Sequence, residues 1–328
     1  MSPPSEPIDP QRYRLRSVRP AISRDDRFDW KSVVKTASFF ALHPKVSREW
    51  LAFMRTPARV KLWLHHPRLL DKVLRPYLNG RWGPQERANA LIGHYSWLRR
   101  MFTRSAVHRL YLDAPVLLAT CNTRSAIETV SLRLGYDGAF EREGDLTLGL
   151  YSQSAAETSS RTQPELIVAI TMSVASIDGR PALCIGCVQT RRDARAQDVI
   201  RQITKNMHGL RPKSLLVEMA KLMARRWQLE LLGIDPDAHP FTSLRYRLSL
   251  RKRQAVEMMR QAYIDLWQEQ GGCQVSGGWY GIPVEESVRL ISAVPSNKRS
   301  MYTKRFTMLD DIECQINASL SELESTNP

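Results

Sequence analysis

The chain of 328 residues contains no run of about 18 apolar residues, the length that a membrane-spanning helix needs. Met1–Asp29 is rich in Pro, Arg and Asp and lacks the apolar stretch of a secretory leader. The expectation is therefore a cytoplasmic protein with a loose N-terminal arm, whose basic surface also suits a peripheral place at the inner membrane. Cysteine is scarce. The five residues, at 121, 184, 187, 273 and 314, are odd in number and scattered, which implies no disulfide framework. Cys184 and Cys187 form a C-x-x-C inside an apparent strand. No second pair completes a zinc site, so both read as core residues and no metal is expected. The chain has no G-x-S-x-G, no Walker A sequence and no histidine pair at metal spacing, since the adjacent His65 and His66 diverge on a helix. No internal repeat is evident. Acidic residues are few: 33 Asp and Glu stand against 48 Lys and Arg, a net charge of +15. Such a field attracts nucleic acid, anionic lipid headgroups or phosphorylated small molecules.

A hydrophobic content of 43% with 25% charged residues is that of an ordinary globular chain. From Lys31 to about Thr103 short amphipathic helical runs (Ser32–Leu42, Val46–Met54, Ala58–Leu64, Leu69–Leu78) are broken by prolines, and a longer one follows over Pro84–Met101. The period then changes. Val116–Thr120, Ile127–Leu134, Leu146–Tyr151, Leu166–Ser176 and Leu183–Thr190 read as strands, with Asp178-Gly179 as a hairpin turn. Gln153–Arg161 reads as a loop. Asp193 is placed to cap a helix with an apolar stripe at Val199, Ile200, Ile203 and Met207. A second helix follows and ends near Arg226, then a short strand, Leu229–Ile234. Leu244–Arg253 is very basic and grades into a helix carrying Met259, Tyr263 and Trp267, closed by Gly271-Gly272. A strand at Gly278–Pro283 precedes the basic run Lys298–Arg305, and a last helix is expected from Leu309. The fold class is α+β: a helical N-terminal region, then a mixed, largely antiparallel sheet with flanking helices. The expected organisation is a flexible basic arm over 1–29, a helical region over 30–105, an α+β domain over 106–316 and a frayed tail over 317–328.

The most informative segment is His208–Leu216. Gly209 fits the left-handed position after a helix end, and Pro212 fits the first turn of the next helix. Arg211 and Lys213 then lie at the positive end of a helix dipole, the unfavourable sign unless an anion docks there. His208, Gly209, Leu210, Arg211 and Lys213 are accordingly the candidate cofactor-binding residues, with a solvated basic corner as the plain alternative. The candidates for chemistry are Glu143, His208 and Tyr263. Glu141, Glu143 and Asp145 precede a strand and offer a general base, although an exposed acidic turn is the simpler reading. Lys298, Arg299, Lys304 and Arg305, interleaved with Tyr302, form a basic patch suited to a phosphate or RNA backbone.

Four separated blocks occur in the order found in the VirK/YbjX family: H-G-L-R-P-K-S-L-L at 208–216, Y-I-D-L-W-Q-E-Q-G-G at 263–272, the following W-Y-G-I-P, and K-R-S-M-Y-T-K-R-F-T-M-L-D at 298–310. The resemblance covers about Lys31 to Ile316. It implies a bacterial protein without an assigned reaction, associated with virulence, envelope remodelling and resistance to cationic antimicrobial peptides. Ile185–Thr190 departs from the family's I-G-x-L-Q-G by lacking the final glycine. The element order is also similar to that of the GCN5-related acyltransferases. That likeness implies an acyl-CoA, or another phosphate-bearing ligand, held at the 208–213 corner. Of that superfamily's Q/R-x-x-G-x-G/A signature the chain offers only Gly209, and an extra helix precedes the corner. Two functions follow: an acyltransferase-like enzyme using a phosphate-bearing cofactor, or a non-enzymatic binder of RNA or anionic lipid. The sequence does not fix the oligomeric state.

Overall fold

A computed structural model describes residues 23–24, 27–28, 30–124, 128–154, 164–190, 195–242, 250–285 and 290–325. The cap expected at Asp193, most of the loop expected at Gln153–Arg161, the first part of the basic segment at Leu244–Arg253 and most of the N-terminal arm lie outside the described residues.

Eight strands form one sheet: β1 (Val116–Cys121), β2 (Glu128–Gly135), β3 (Leu146–Ser154), β4 (Glu165–Ile177), β5 (Arg180–Thr190), β6 (Glu230–Ile234), β7 (Cys273–Val275) and β8 (Trp279–Ile282). The spatial order is β1-β2-β3-β4-β5-β6-β8-β7. The first five strands form an antiparallel meander, with Asp178 and Gly179 between β4 and β5. Every neighbour pair is antiparallel except β5 and β6. A parallel neighbour requires a crossover, and here two helices, α6 (Ala196–Asn206) and α7 (Pro212–Arg226), make it. The central strands are apolar on both faces, because helices cover both.

The N-terminal helices are α1 (Trp30–Leu42), α2 (Pro44–Met54), α3 (Pro57–His65), α4 (Pro84–Met101) and α5 (Arg104–Leu112). Proline opens three of them, where its missing N–H costs nothing. The helix expected over Leu69–Leu78 is absent. In its place are two short 3-10 turns, Pro67–Leu69 and Lys72–Leu74, followed by an irregular stretch in which Leu78 takes a left-handed φ of 58°. Helix α4 packs on β4, and the helical region and the sheet share one hydrophobic core.

After β6 come α8 (Leu250–Glu269) and the β7–β8 hairpin, then α9 (Arg299–Leu323). Helix α9 starts ten residues before the expected Leu309, so the basic run forms its first turns. Its far end is packed where composition suggested fraying. Leu320 and Leu323 are buried, Arg226 clasps the Glu324 carboxylate at 2.6 Å, and the Trp227 indole N–H donates to it at 2.9 Å. Among the described residues no helix is long and apolar enough to cross a membrane.

Candidate functional site

Two places in the fold combine polar chemistry with an irregular backbone. The first is the parallel pair. β5 and β6 run together only from Ala182 opposite Glu230 to Ile185 opposite Gly233. β5 then continues to Thr190 while the chain after Ile234 turns away into short 3-10 turns. At the parting point Gly186 forms a bulge in the β4–β5 ladder, between Ile185 opposite Met172 and Cys187 opposite Thr171. Only glycine fits there: a Cβ on Gly186 would lie 1.8 Å from the Glu143 carbonyl oxygen.

Side chains occupy the backbone positions that a continuing neighbour strand would pair. The Val188 N–H donates to the Tyr263 hydroxyl at 3.1 Å, and the Trp267 indole N–H donates to the Ile234 carbonyl at 3.0 Å. His239 packs edge-on against Tyr263, at 5.7 Å between centroids, and stacks on Phe241. Its Nδ1 accepts from the Phe241 N–H at 3.2 Å, so Nε2 carries the proton. Nε2 is buried without a partner in hydrogen-bonding geometry, although it faces the Gly186 carbonyl. Burial pulls the His239 imidazole down to about 4, leaving it neutral.

Glu143 contacts the same stretch of β5, and its carboxyl is pushed up to about 7, mainly by burial. Burial, with Glu143 as a smaller cause, also pushes up the Cys187 thiol, so that sulfur is inert. The structure thus brings two of the three candidate residues, Glu143 and Tyr263, to Gly186–Val188 and adds His239. The reading of Glu141, Glu143 and Asp145 as an exposed turn is corrected, because all three are buried. The acids are drawn inward by cations 66 to 73 residues away in sequence. Arg75 binds Glu141 at 3.0 Å and Lys72 binds Asp145 at 2.5 Å.

Asp145 is the hub of a wholly buried network. Its carboxylate also accepts from the Tyr95 hydroxyl at 2.8 Å and from that of Tyr77, and its N–H donates to Ser173 Oγ at 3.0 Å. His94 extends the network, with Nδ1 accepting from the Val174 N–H and Nε2 bonded to the Tyr111 hydroxyl. Burial alone would raise the Asp145 carboxyl; Lys72, His94 and the hydrogen bonds hold it below its ordinary value. This network ties the helical region to the sheet and is buried, with Lys72, Asp145 and Tyr77 all at most 3% exposed.

The second place is the α6–α7 corner. His208 and Gly209 both take left-handed backbone angles (φ 53° and 77°), and the Gly209 N–H returns to the Thr204 carbonyl at 2.8 Å, the expected helix stop. Pro212 opens α7, and Arg211 at the cap position supplies no side-chain cap. Arg211 reaches Glu269 at 3.3 Å on the surface, and Lys213 is half-buried, its ammonium pKa lowered by that burial. Arg305 donates twice to the His208 carbonyl, from Nε at 3.1 Å and Nη2 at 2.9 Å. Arg124 Nε donates to His208 Nδ1 at 3.0 Å. The corner and the Lys298–Arg305 patch, far apart in sequence, therefore meet through Arg305. Arg299 and Lys304 lie exposed on α9, and Lys298 lies exposed just before it. No local signal marks Arg124 or His239. Both earn their place only through residues tens of positions away.

The family described as "Protein of unknown function (DUF535)" matches residues 27–318. Over 276 residues the chain is 30% identical to the uncharacterized protein YbjX of Escherichia coli K12, covering 83% of this chain and 78% of that one. Two uncharacterized proteins of Haemophilus influenzae are similar over shorter stretches. One is 34% identical over 41% of this chain and 43% of its own length, the other 36% identical over 40% and 41%. No solved structure matches. The chain belongs to the DUF535 family, the VirK/YbjX proteins whose sequence blocks it carries.

Proposed function

We propose that this DUF535 protein is a cytoplasmic acyltransferase-like protein that binds a phosphate-bearing cofactor of the acyl-CoA kind. The observation that carries this reading is the parting of β5 from β6 after Ile185 and Gly233, beside a bulge at Gly186. An extended thioester-bearing chain entering there would meet backbone groups that side chains now satisfy, and its phosphates would have the α6–α7 corner with His208, Gly209, Leu210, Arg211 and Lys213 as a docking place. The cofactor would supply an activated acyl group. In such a transfer Glu143, its carboxyl pushed up to about 7, would accept a proton from the acceptor amine and the Tyr263 hydroxyl would donate one to the leaving group, the proton on Glu143 then restoring Tyr263. The buried Nε2–H of His239, which faces the Gly186 carbonyl, would be a donor for a ligand oxygen that reached it. In the structure Tyr263 already holds the Val188 N–H, so a ligand must displace that bond. The resemblance to VirK/YbjX proteins points to an amine on an envelope precursor as acceptor, and so to envelope remodelling, virulence or antimicrobial-peptide resistance.

Calorimetric titration of acetyl-CoA into the full chain tests this. Arg211→Ala should weaken binding roughly tenfold or more, the worth of a charge-assisted hydrogen bond to phosphate. Its melting temperature should barely move, because the Arg211–Glu269 pair is exposed. Equal binding by wild type and variant removes the corner from the site. A second reading, a binder of RNA or anionic lipid, is favoured by the +15 charge and the exposed Lys298, Arg299 and Lys304. It predicts affinity that falls steeply with salt and a flatter slope when the patch is neutralised. Tight RNA binding at physiological salt without any acyl-CoA binding would establish that reading instead.

A further inference from the structure

Two arginines from distant parts of the chain meet on one residue of the corner, and a lysine lies next to one of them. Arg124 follows β1, and Lys304 and Arg305 lie in the first turns of α9. Arg305 spends Nε and Nη2 on the His208 carbonyl, and Arg124 spends Nε on His208 Nδ1. Among the described residues the remaining guanidinium nitrogens of both arginines, and the Lys304 ammonium, have neither a hydrogen-bond acceptor nor a carboxylate partner. The three positive charges are close enough to act together on the His208 ring, where, after burial, they are what depresses its proton affinity. A Cβ on Gly209 would lie 2.9 Å from Arg305 Nη2, so the corner's glycine also admits the guanidinium. Like charges gathered without counter-charge repel unless an anion completes the set. Two guanidiniums bonded to one residue, with a third cation beside them on α9, suit a single phosphate or pyrophosphate group, whereas a polymer backbone is met by cations spaced along a track.

We infer that Arg124, Lys304 and Arg305 form a phosphate-binding site around His208, and that it takes the phosphates of a small molecule. This rests on the cofactor reading above and adds three residues to it, one of them outside every sequence block that marks the family. The site joins β1, the α6–α7 corner and α9, so ligand binding clamps the first and last parts of the sheet domain together.

Titration of the full chain with inorganic pyrophosphate and, separately, with acetyl-CoA tests the inference. Arg305→Ala risks disturbing the corner it supports, so Lys304→Ala and the double variant Arg124→Gln/Lys304→Ala carry the test, with circular dichroism as the folding control. The expected result is binding of both ligands by the wild type, a several-fold loss in Lys304→Ala and a loss of tenfold or more in the double variant. Undiminished binding in the double variant overturns the inference. If acetyl-CoA then still depends on Arg211, the acyl-CoA reading stands without this site. Pyrophosphate binding that depends on these cations, with no acetyl-CoA binding, upholds the site and refutes the acyl-CoA reading. Stronger competition by a single-stranded RNA oligomer than by pyrophosphate, dependent on the same cations, overturns it in favour of a polymer.

Discussion

The charge cluster around Asp145 and the one around His208 are built from similar residues and end in opposite states. At Asp145 one buried carboxylate is met by one ammonium and two tyrosine hydroxyls, and the Ser173 hydroxyl and the Val174 N–H are drawn in as well. At His208 two guanidiniums and an ammonium gather about a carbonyl and an imidazole, with no carboxylate among the described residues to answer them. Charge that is paired and enclosed holds the fold together, whereas we propose that the charge left in surplus at the corner is kept for a ligand. The parting of β5 and β6 beyond Ile185 lies between these extremes. Its backbone groups are met by Tyr263 and Trp267, and one donor, His239 Nε2, is left over.

The contrast can be broken most forcefully at its structural end. Asp145→Asn leaves the Lys72 ammonium buried without its counter-charge and should cost about 3–5 kcal/mol in urea unfolding. A cost below about 1 kcal/mol would mean that the network does not anchor the helical region. Its ligand affinity, measured on the folded fraction, should match that of the wild type.

Next in size is the pH dependence set by Glu143. Its folded carboxyl titrates near 7 against an ordinary 4.5. Between those values the folded chain binds the proton that the unfolded chain has released, so this group's contribution to stability falls as pH rises through that window, by about 3 kcal/mol in all. Glu143→Gln should flatten the slope of unfolding free energy between about pH 4.5 and 7. An unchanged slope would show that Glu143 is ionised in the folded chain.

Smaller still is Tyr263→Phe, which leaves the buried Val188 N–H without an acceptor and should cost about 1–3 kcal/mol. If the parting of the strands admits a ligand, the same change abolishes the proton return to the thiolate and lowers turnover more than affinity. The smallest effect belongs to Lys304→Ala. The side chain is exposed and unpaired among the described residues, so its stability should stay within about 0.5 kcal/mol of wild type while phosphate binding weakens.

What could be read from sequence was what the chain signals locally. Helix α4 runs from Pro84 to Met101 as expected, and α7 runs from Pro212 to Arg226, because proline at the first turn and a regular apolar stripe mark both. The strands β1 to β5 follow from alternation. Leu69–Leu78 misled because apolar spacing over a few residues also fits 3-10 turns. Glu141–Asp145 misled more instructively: a run of acids with a glycine looks like a solvated turn until Lys72 and Arg75 are placed beside it. Likewise Arg305 and His208 are 97 residues apart, and no periodicity reports such a pairing. Of the candidate site, Glu143, Tyr263 and the 208–213 corner were legible as residue types in suggestive positions. His239 and Arg124 were not.

Hydrogen exchange of the full chain with and without saturating acetyl-CoA separates a ligand-holding corner from a merely basic one, because it reports location as well as binding. The predicted result is slower exchange at residues 186–190 of β5 and at 204–215 around the corner, with the amides of Asp145 and Val174 unchanged. Protection confined to other parts of the chain, or none at all, would contradict the assignment of the surplus charge to a ligand.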